Sequence, residues 1–338
     1  CLLSRGLGDV YKRQMLDLNK TEIMELFSFE KAVNLIQNAY IASANGNVQT
    51  AEVVHLGFPK SNGDCHIKSG HITDTASYVI KIASGFYDNP SKGLASSNGM
   101  MLAFSATTGE TIAILRDEGW LTDMRTAIGG ALATRALACV SASKVLLIGT
   151  GIQAKMQAHC LAKLMPKRAL SFRIWGRNAT AARTAAGELA KQGLEIKVVS
   201  TLEKEVGTAN IIITTTPSTT PLFANDLVRR GTHVTAIGAD SFGKQELPTG
   251  LVTSASLRVC DIARQSLEHG EFQTASKIEP SLDVTELGHI LSGTHSGRHS
   301  DSEITVADLT GIAAQDIAIT QAIIAVSYTH LRAHETRG

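Results

Sequence analysis

The cysteines show no redox or metal-binding pattern: there are five, scattered, with no CxxC pair, and no His/Cys cluster has metal-ligand spacing. That scatter reads as reduced, mostly buried thiols in a cytoplasmic protein, and it leaves metal ligation without a candidate. Charge of one sign is also missing. The formal net charge is +1 over 338 residues with no basic stripe, so nucleic acid and membrane surfaces have no electrostatic case. No apolar run reaches transmembrane length, and no signal peptide, internal repeat or low-complexity linker is visible. What remains is an ordinary globular composition, 43% apolar and 19% charged, in a chain long enough for two domains.

The most informative stretch is Lys144 to Ala154, KVLLIGTGIQA. Val145 to Ile148 are apolar without alternation, as in a parallel strand covered on both faces. Gly149-x-Gly151-x-x-Ala154 then opens a helix that Pro166 stops. Each small residue has a physical task in a dinucleotide site. Gly149 permits the tight turn, Gly151 lets the backbone approach a pyrophosphate, and Ala154 lets helix and sheet pack closely. Ile152 and Gln153 complete the turn. The competing reading is a packing turn with no ligand. A second strand, Leu170 to Trp175, ends at Gly176-Arg177-Asn178, where an NAD site usually places an acid. The Arg177 guanidinium suits a 2′-phosphate instead, so NADP(H) is preferred and NAD(H) stays possible.

Before this stretch, the pattern predicts a helix over 27–44, strands over 53–58, 66–68 and 77–83, a loop over 85–90 and a hairpin of 100–105 with 111–116. A small-residue-rich helix over 121–138 leads into the fingerprint. After it, helices and strands alternate as in a doubly wound sheet, with strands at 196–199, 211–214, 233–237, 257–260 and 304–307. A final helix runs from Gly311 to about Ala325. The expected fold is α/β: a Rossmann-like doubly wound domain over 129–305, and an α+β substrate and dimerisation domain over 15–128 plus 306–325. Segments 1–14 and 326–338 resemble translated sequencing-adapter read-through, so the native start is expected at Met15 and the native C-terminus is expected to have been lost near Ala325; the plainer reading is disordered tails.

Several motifs occur in one order: Lys81 in a Val-Ile-Lys-Ile run, Gly85-Phe86 with Asn89-Pro90, Leu121-Thr-Asp-Met-Arg125-Thr126, the fingerprint, Gly238-Ala-Asp240 with Gly243-Lys-Gln-Glu-Leu247, and Thr310-Gly311 with Gln315-Asp316. With them the chain resembles the ornithine cyclodeaminase/mu-crystallin family over nearly all of 15–325. Cys65-His-Ile-Lys68 looks most similar to the branch found in ectoine-utilisation clusters. The resemblance implies a homodimer in which hydride passes between a nicotinamide and the α-carbon of a small amino or imino acid. It further implies that Lys81 and Arg125 bind the substrate carboxylate, that Asp240 is the acid/base residue, and that Lys81 belongs with it to the catalytic set. Thr126, Thr214, Thr215 and Gly238 join the fingerprint as cofactor-binding residues. Many members carry an arginine on the early strand where this chain has Val53, and Lys68 is the candidate replacement.

The chemistry supports these roles separately. A guanidinium fork plus an ammonium holds a carboxylate firmly enough to fix the neighbouring carbon. A carboxyl group beside an imine can stabilise iminium charge or exchange its proton. Plainer readings stand beside them: Asp240 as a turn residue, Lys81 as an edge-strand lysine facing solvent, Arg125 paired with Asp123 or Glu118 on a helix surface, and Thr214-Thr-Thr-Pro217 as a hydroxyl-rich turn. Three functions follow. The first is an NADP-preferring imine reductase or amino-acid dehydrogenase. The second is an NAD-using cyclodeaminase, against which Val53 counts. The third is a mu-crystallin-like NADPH-binding protein.

Overall fold

The computed structural model describes residues 15–335. In chain order the first elements are β1 (Leu16–Asn19), α1 (Lys20–Leu26), α2 (Phe29–Ala44), β2 (Val48–Thr50), β3 (Val54–Phe58), β4 (Gly63–Ile72), β5 (Ser77–Phe86), β6 (Ser97–Ser105), β7 (Thr111–Arg116) and α3 (Trp120–Leu137). There follow β8 (Lys144–Ile148), α4 (Ile152–Leu164), β9 (Ser171–Trp175), α5 (Ala179–Lys191), β10 (Ile196–Val198), α6 (Leu202–Val206), β11 (Ile211–Thr214) and β12 (His233–Ala236). The chain ends with α7 (Thr249–Ser254), β13 (Leu257–Cys260), α8 (Ala263–His269), α9 (Gln273–Ile278), β14 (Thr285–Glu286), α10 (Leu287–Ser292), β15 (Thr305–Asp308) and α11 (Ala313–Glu335). The chain divides into two compact units: one runs to Arg125 and resumes at Ala313, and the other is Thr126–Ile312. Among the described residues no helix is long and apolar enough to cross a membrane.

The first unit is a seven-stranded sheet in the order β1-β7-β6-β5-β4-β2, with β3 also paired to β4. Only β1 pairs in parallel, with β7. Alternation decides which face is covered: Val79, Lys81, Met101, Ala103, Ala113 and Leu115 are buried and share one side, as period-two side chains must. Helix α11 packs on β4, β5 and β6, and also against α2. Contact is close. A Cβ at Gly70 would sit 3.3 Å from Ala313 and Ile317, and the Thr320 hydroxyl reaches the Met101 sulfur at 2.9 Å.

The second unit holds eight parallel strands in the order β10-β9-β8-β11-β12-β15-β13-β14. Chain order reverses between β8 and β11, the switch point where doubly wound sheets bind ligands beyond their carboxyl ends. Buried Val145 to Ile148 and Ile211 to Thr214 form those two central strands.

Several expectations need correction. Gly85 and Phe86 extend β5 and do not start a loop, because Gly85 still pairs with Ser97 across the ladder. The domain boundary expected at 306 falls at 313, since Thr305–Asp308 is inserted between β12 and β13. The last helix starts two residues late and continues to Glu335, beyond the expected end near Ala325. The expectation for 1–14 lies outside the described residues.

Candidate active site

In the first unit three predicted residues come together. Lys81 lies on β5, hydrogen-bonded on both sides by β4 and β6, so the solvent-facing edge-strand reading fails. Its cross-strand partner on β4 is Lys68, which places both ammonium groups on the covered face. Arg125, one turn into α3, is 5% exposed. It pairs with neither Asp123 nor Glu118 but with a residue that sequence reasoning had given no role, Asp316 on the first turn of α11. Lys81 Nζ lies 3.1 Å from Asp316 Oδ2, and Arg125 Nε lies 2.9 Å from Oδ1. Gln315 braces the same arginine, its Oε1 accepting from Arg125 Nη1 at 3.2 Å and its Nε2 donating to the Arg125 carbonyl at 3.1 Å.

This arrangement sets the protonation states. Burial pushes Lys81 down from 10.5 to about 7; Asp316 opposes that shift, and Arg125 and Lys68 add to it. Burial alone would raise Asp316, but Arg125, Lys81 and Lys68 outweigh it and hold the carboxyl below the ordinary range. Three cations therefore converge on one carboxylate, which leaves a local positive excess suited to an incoming anion. A cavity of about 830 Å³ in this unit, lined by Thr75, Ser105, Gln321 and Tyr328 among others, touches none of the four charged residues.

Val53 is 38% exposed and lies one step beyond the β3–β4 ladder, opposite Lys68 by extension of the register. Lys68 is therefore the cation that the register places opposite that position. The expectation that no metal-ligand cluster exists is corrected at one place. His55, Asp64 and His66 bring one ligand atom each within 4.8 Å of one another. Linear spacing hides this trio because His55 comes from the opposite strand of the hairpin.

In the second unit the fingerprint forms the predicted strand, turn and helix. Gly149 has φ +126°, and a Cβ there would run into the Thr215 hydroxyl, so only glycine fits. A Cβ at Gly151 would meet nothing within 4 Å, which leaves open space over the N-terminus of α4 for a phosphate to approach the backbone. Ala154 is fully buried and acts through packing. Ile152 is 43% exposed at the helix mouth and Gln153 is half-buried behind it. Arg177 is exposed directly after β9, next to Asn178, whose side chain caps α5. Thr126 is half-buried, and its carbonyl accepts from Gln157 at 3.2 Å.

Two threonines separate here. Thr215 follows β11 against Gly149, at the switch point. Thr214 is fully buried and donates to Glu246 Oε2 at 2.8 Å, so it is not placed to line a nucleotide. Glu246 also accepts from Thr216 N at 2.5 Å and Gly238 N at 2.8 Å, tying together the loops that leave β11 and β12. Glu271 in turn accepts from the backbone of Glu246 and Leu247, and burial beside Glu246 raises it to about 8. Asp240 lies two residues beyond Gly238 with a half-exposed side chain, and its Oδ1 accepts from Lys244 at 2.6 Å and Ser241 at 3.2 Å. It lies past the carboxyl end of β12, one strand beyond the β8/β11 switch point, and its bond to Lys244 is a contact the sequence pattern does not predict.

Known proteins share this architecture. The chain is 31% identical over 313 residues to the alanine dehydrogenase of Archaeoglobus fulgidus, with 92% of this chain and 94% of that protein covered. A solved archaeal alanine dehydrogenase dimer with bound NAD superposes with a TM-score of 0.83 at 28% identity, covering 94% of this chain and 97% of the other. The Thermococcus litoralis Delta(1)-pyrroline-2-carboxylate reductase, solved with NADH and L-proline, gives 0.86 at 25% identity, covering 94% and 98%. The model of the ornithine cyclodeaminase/mu-crystallin family matches residues 12–327, so that the cation cluster, the fingerprint and the Asp240 loop all fall within it, and the chain belongs to that family.

Proposed function

We propose that the protein is an NAD(P)-dependent oxidoreductase acting between a small α-imino acid and the corresponding amino acid, as an imine reductase or amino-acid dehydrogenase. The observation that carries this reading is the buried Lys81–Asp316–Arg125 set with Lys68 beside it. Two buried cations already compensated by one internal carboxylate, plus a third facing them, suit an anionic substrate that arrives and leaves. Lys81, Arg125 and Lys68 hold the α-carboxylate, and Asp240 holds the proton exchanged at the substrate nitrogen. When bound, the nicotinamide supplies or accepts the hydride at the α-carbon. Gly149, Gly151 and the open helix mouth at Ile152 would hold its pyrophosphate, with Thr215 beside the turn. Arg177 would meet a 2′-phosphate, which favours NADP(H) over NAD(H).

The test is binding of NADPH and NADH, followed by a panel of cyclic imines and of α-keto acids with amines. Oxidation of NADPH by an imine supports the reading, and Arg177→Asp is expected to move the preference toward NADH by about tenfold or more. Ammonia released from a diamino acid without net change in nicotinamide absorbance would replace the reading with cyclodeamination. Tight NADPH binding with no turnover across the panel would favour a binding protein.

Lys81 gives a pH signature. Its ammonium is present below about 7 and lost above it, so kcat/KM is expected to fall by up to about tenfold per unit as pH rises past 7. Folding responds in the opposite sense. The unfolded chain binds the extra proton between about 7 and 10.5, so the penalty of burying Lys81 relaxes as pH rises through that window. A pH profile flat from 6 to 9 would remove Lys81 from carboxylate binding.

The protein is further proposed to act as a homodimer. All of β3 is exposed, and Val54, Leu56 and Phe58 place apolar groups on one side of this edge strand at 49%, 48% and 43% exposure. A second copy is the favoured cover because the archaeal alanine dehydrogenase is a dimer. Leu56→Glu is expected to shift light-scattering mass toward the monomer.

A further inference from the structure

We infer that His55, Asp64 and His66 form a binding site for a divalent transition-metal ion of the zinc class. The ladder itself builds the set. His55 on β3 pairs directly with His66 on β4, and Asp64 lies two residues before His66, so period two puts all three side chains on one face of the hairpin. Their ligand atoms all fall within 4.8 Å of one another, and His66 Nε2 is already 3.7 Å from Asp64 Oδ1. A tetrahedral ion with bonds of 2.0–2.1 Å holds its ligand atoms roughly 3.4 Å apart, so small side-chain rotations close the set. The two imidazoles are tilted at 48° with centroids 4.7 Å apart, and so are not stacked flat on each other.

The surroundings favour the same use. The residues of β5 opposite His66 and Asp64 are Ala83 and Gly85, which leave the space over the donors clear. A Cβ at Gly85 would press to 3.3 Å from Asp64 Oδ1. The Tyr87 hydroxyl donates to Asp64 Oδ2 at 3.1 Å and orients the carboxylate with Oδ1 toward His66, the supporting bond that ligating carboxylates commonly receive. Two imidazoles and one carboxylate suit zinc or cobalt better than magnesium or calcium, which take oxygen donors. Three protein ligands leave a fourth position for water or another oxygen donor. Lys68 follows on the same face, two residues beyond His66 and four beyond Asp64.

The experiment uses the full chain, stripped with a chelator and titrated with Co²⁺ and then Zn²⁺. One equivalent of Co²⁺ with visible ligand-field absorption, displaced by Zn²⁺, is expected. His66→Ala and Asp64→Asn should each weaken Co²⁺ binding by about tenfold or more. His71→Ala should not, since His71 bonds to the Thr75 carbonyl, apart from the trio. Co²⁺ affinity equal in the original chain and in His66→Ala overturns the site. A second measurement needs no substitution: Zn²⁺ should protect His55 and His66 from diethyl pyrocarbonate, and modification of both at an unchanged rate overturns the inference.

Discussion

Asp316→Asn is expected to destabilise the first unit by about 3–5 kcal/mol, the usual cost of removing one partner from a buried ion pair. The side chains of Asp316, Lys81 and Arg125 are 3%, 3% and 6% exposed, so solvent offers little relief. The two cations do not share the loss equally. Lys81 already titrates at about 7 and can shed its proton, whereas a guanidinium cannot, so the penalty concentrates on Arg125. Adding Arg125→Met to Asp316→Asn should therefore recover part of the stability while leaving carboxylate binding lost. The two tryptophans of the chain make this measurable, because Trp120 lies in the first unit and Trp175 in the second. In a Trp175→Phe background, denaturant unfolding followed through Trp120 reads the affected unit. A shift below about 1 kcal/mol would mean that Asp316 does not compensate buried charge.

Asp240→Asn is expected to do the reverse: almost no loss of stability, and a fall in kcat of about 10²–10⁴. The pair with Lys244 is half-exposed on the Asp240 side, and pairs of that kind contribute little. The amide keeps the shape of the side chain but has no proton to exchange at a substrate nitrogen. Nicotinamide binding should be retained, so the loss belongs in kcat and not in cofactor affinity. Rapid-mixing measurements of nicotinamide absorbance separate these. Unchanged single-turnover rates in Asp240→Asn would transfer the proton role to another group and leave Asp240 as a loop residue.

The contrast between these aspartates shows what linear pattern can reach. The place of Asp240 is legible because it follows a buried strand in a Gly-Ala-Asp turn, a local signal. A lysine in an apolar strand is anomalous by itself, so Lys81 was also legible. Asp316 stands in a sequence motif, but its pairing depends on α11 folding back onto a sheet whose strands end at Arg116, and no window of neighbours contains that. The His55–His66 pairing needs the β3–β4 register, which alternation does not supply. Thr214 was assigned to the nucleotide because hydroxyls after a buried strand commonly face ligands. Its inward turn toward Glu246 is a contact across 32 residues of chain. The glycine turn was readable because its signals are local: Gly149 is required by its own backbone geometry, and Gly151 leaves the helix N-terminus open.

The discontinuity of the first unit also has a consequence in time. On the ribosome the strands carrying Lys68 and Lys81, and then Arg125, emerge well before Asp316, with the whole of Thr126–Ile312 made in between. At 5–20 residues per second that interval is roughly 10–40 s. Through it the sheet lacks both its covering helix and the carboxylate that neutralises its cations. The nascent chain therefore has reason to complete the second unit first and to leave the sheet of the first unit uncovered until α11 is released.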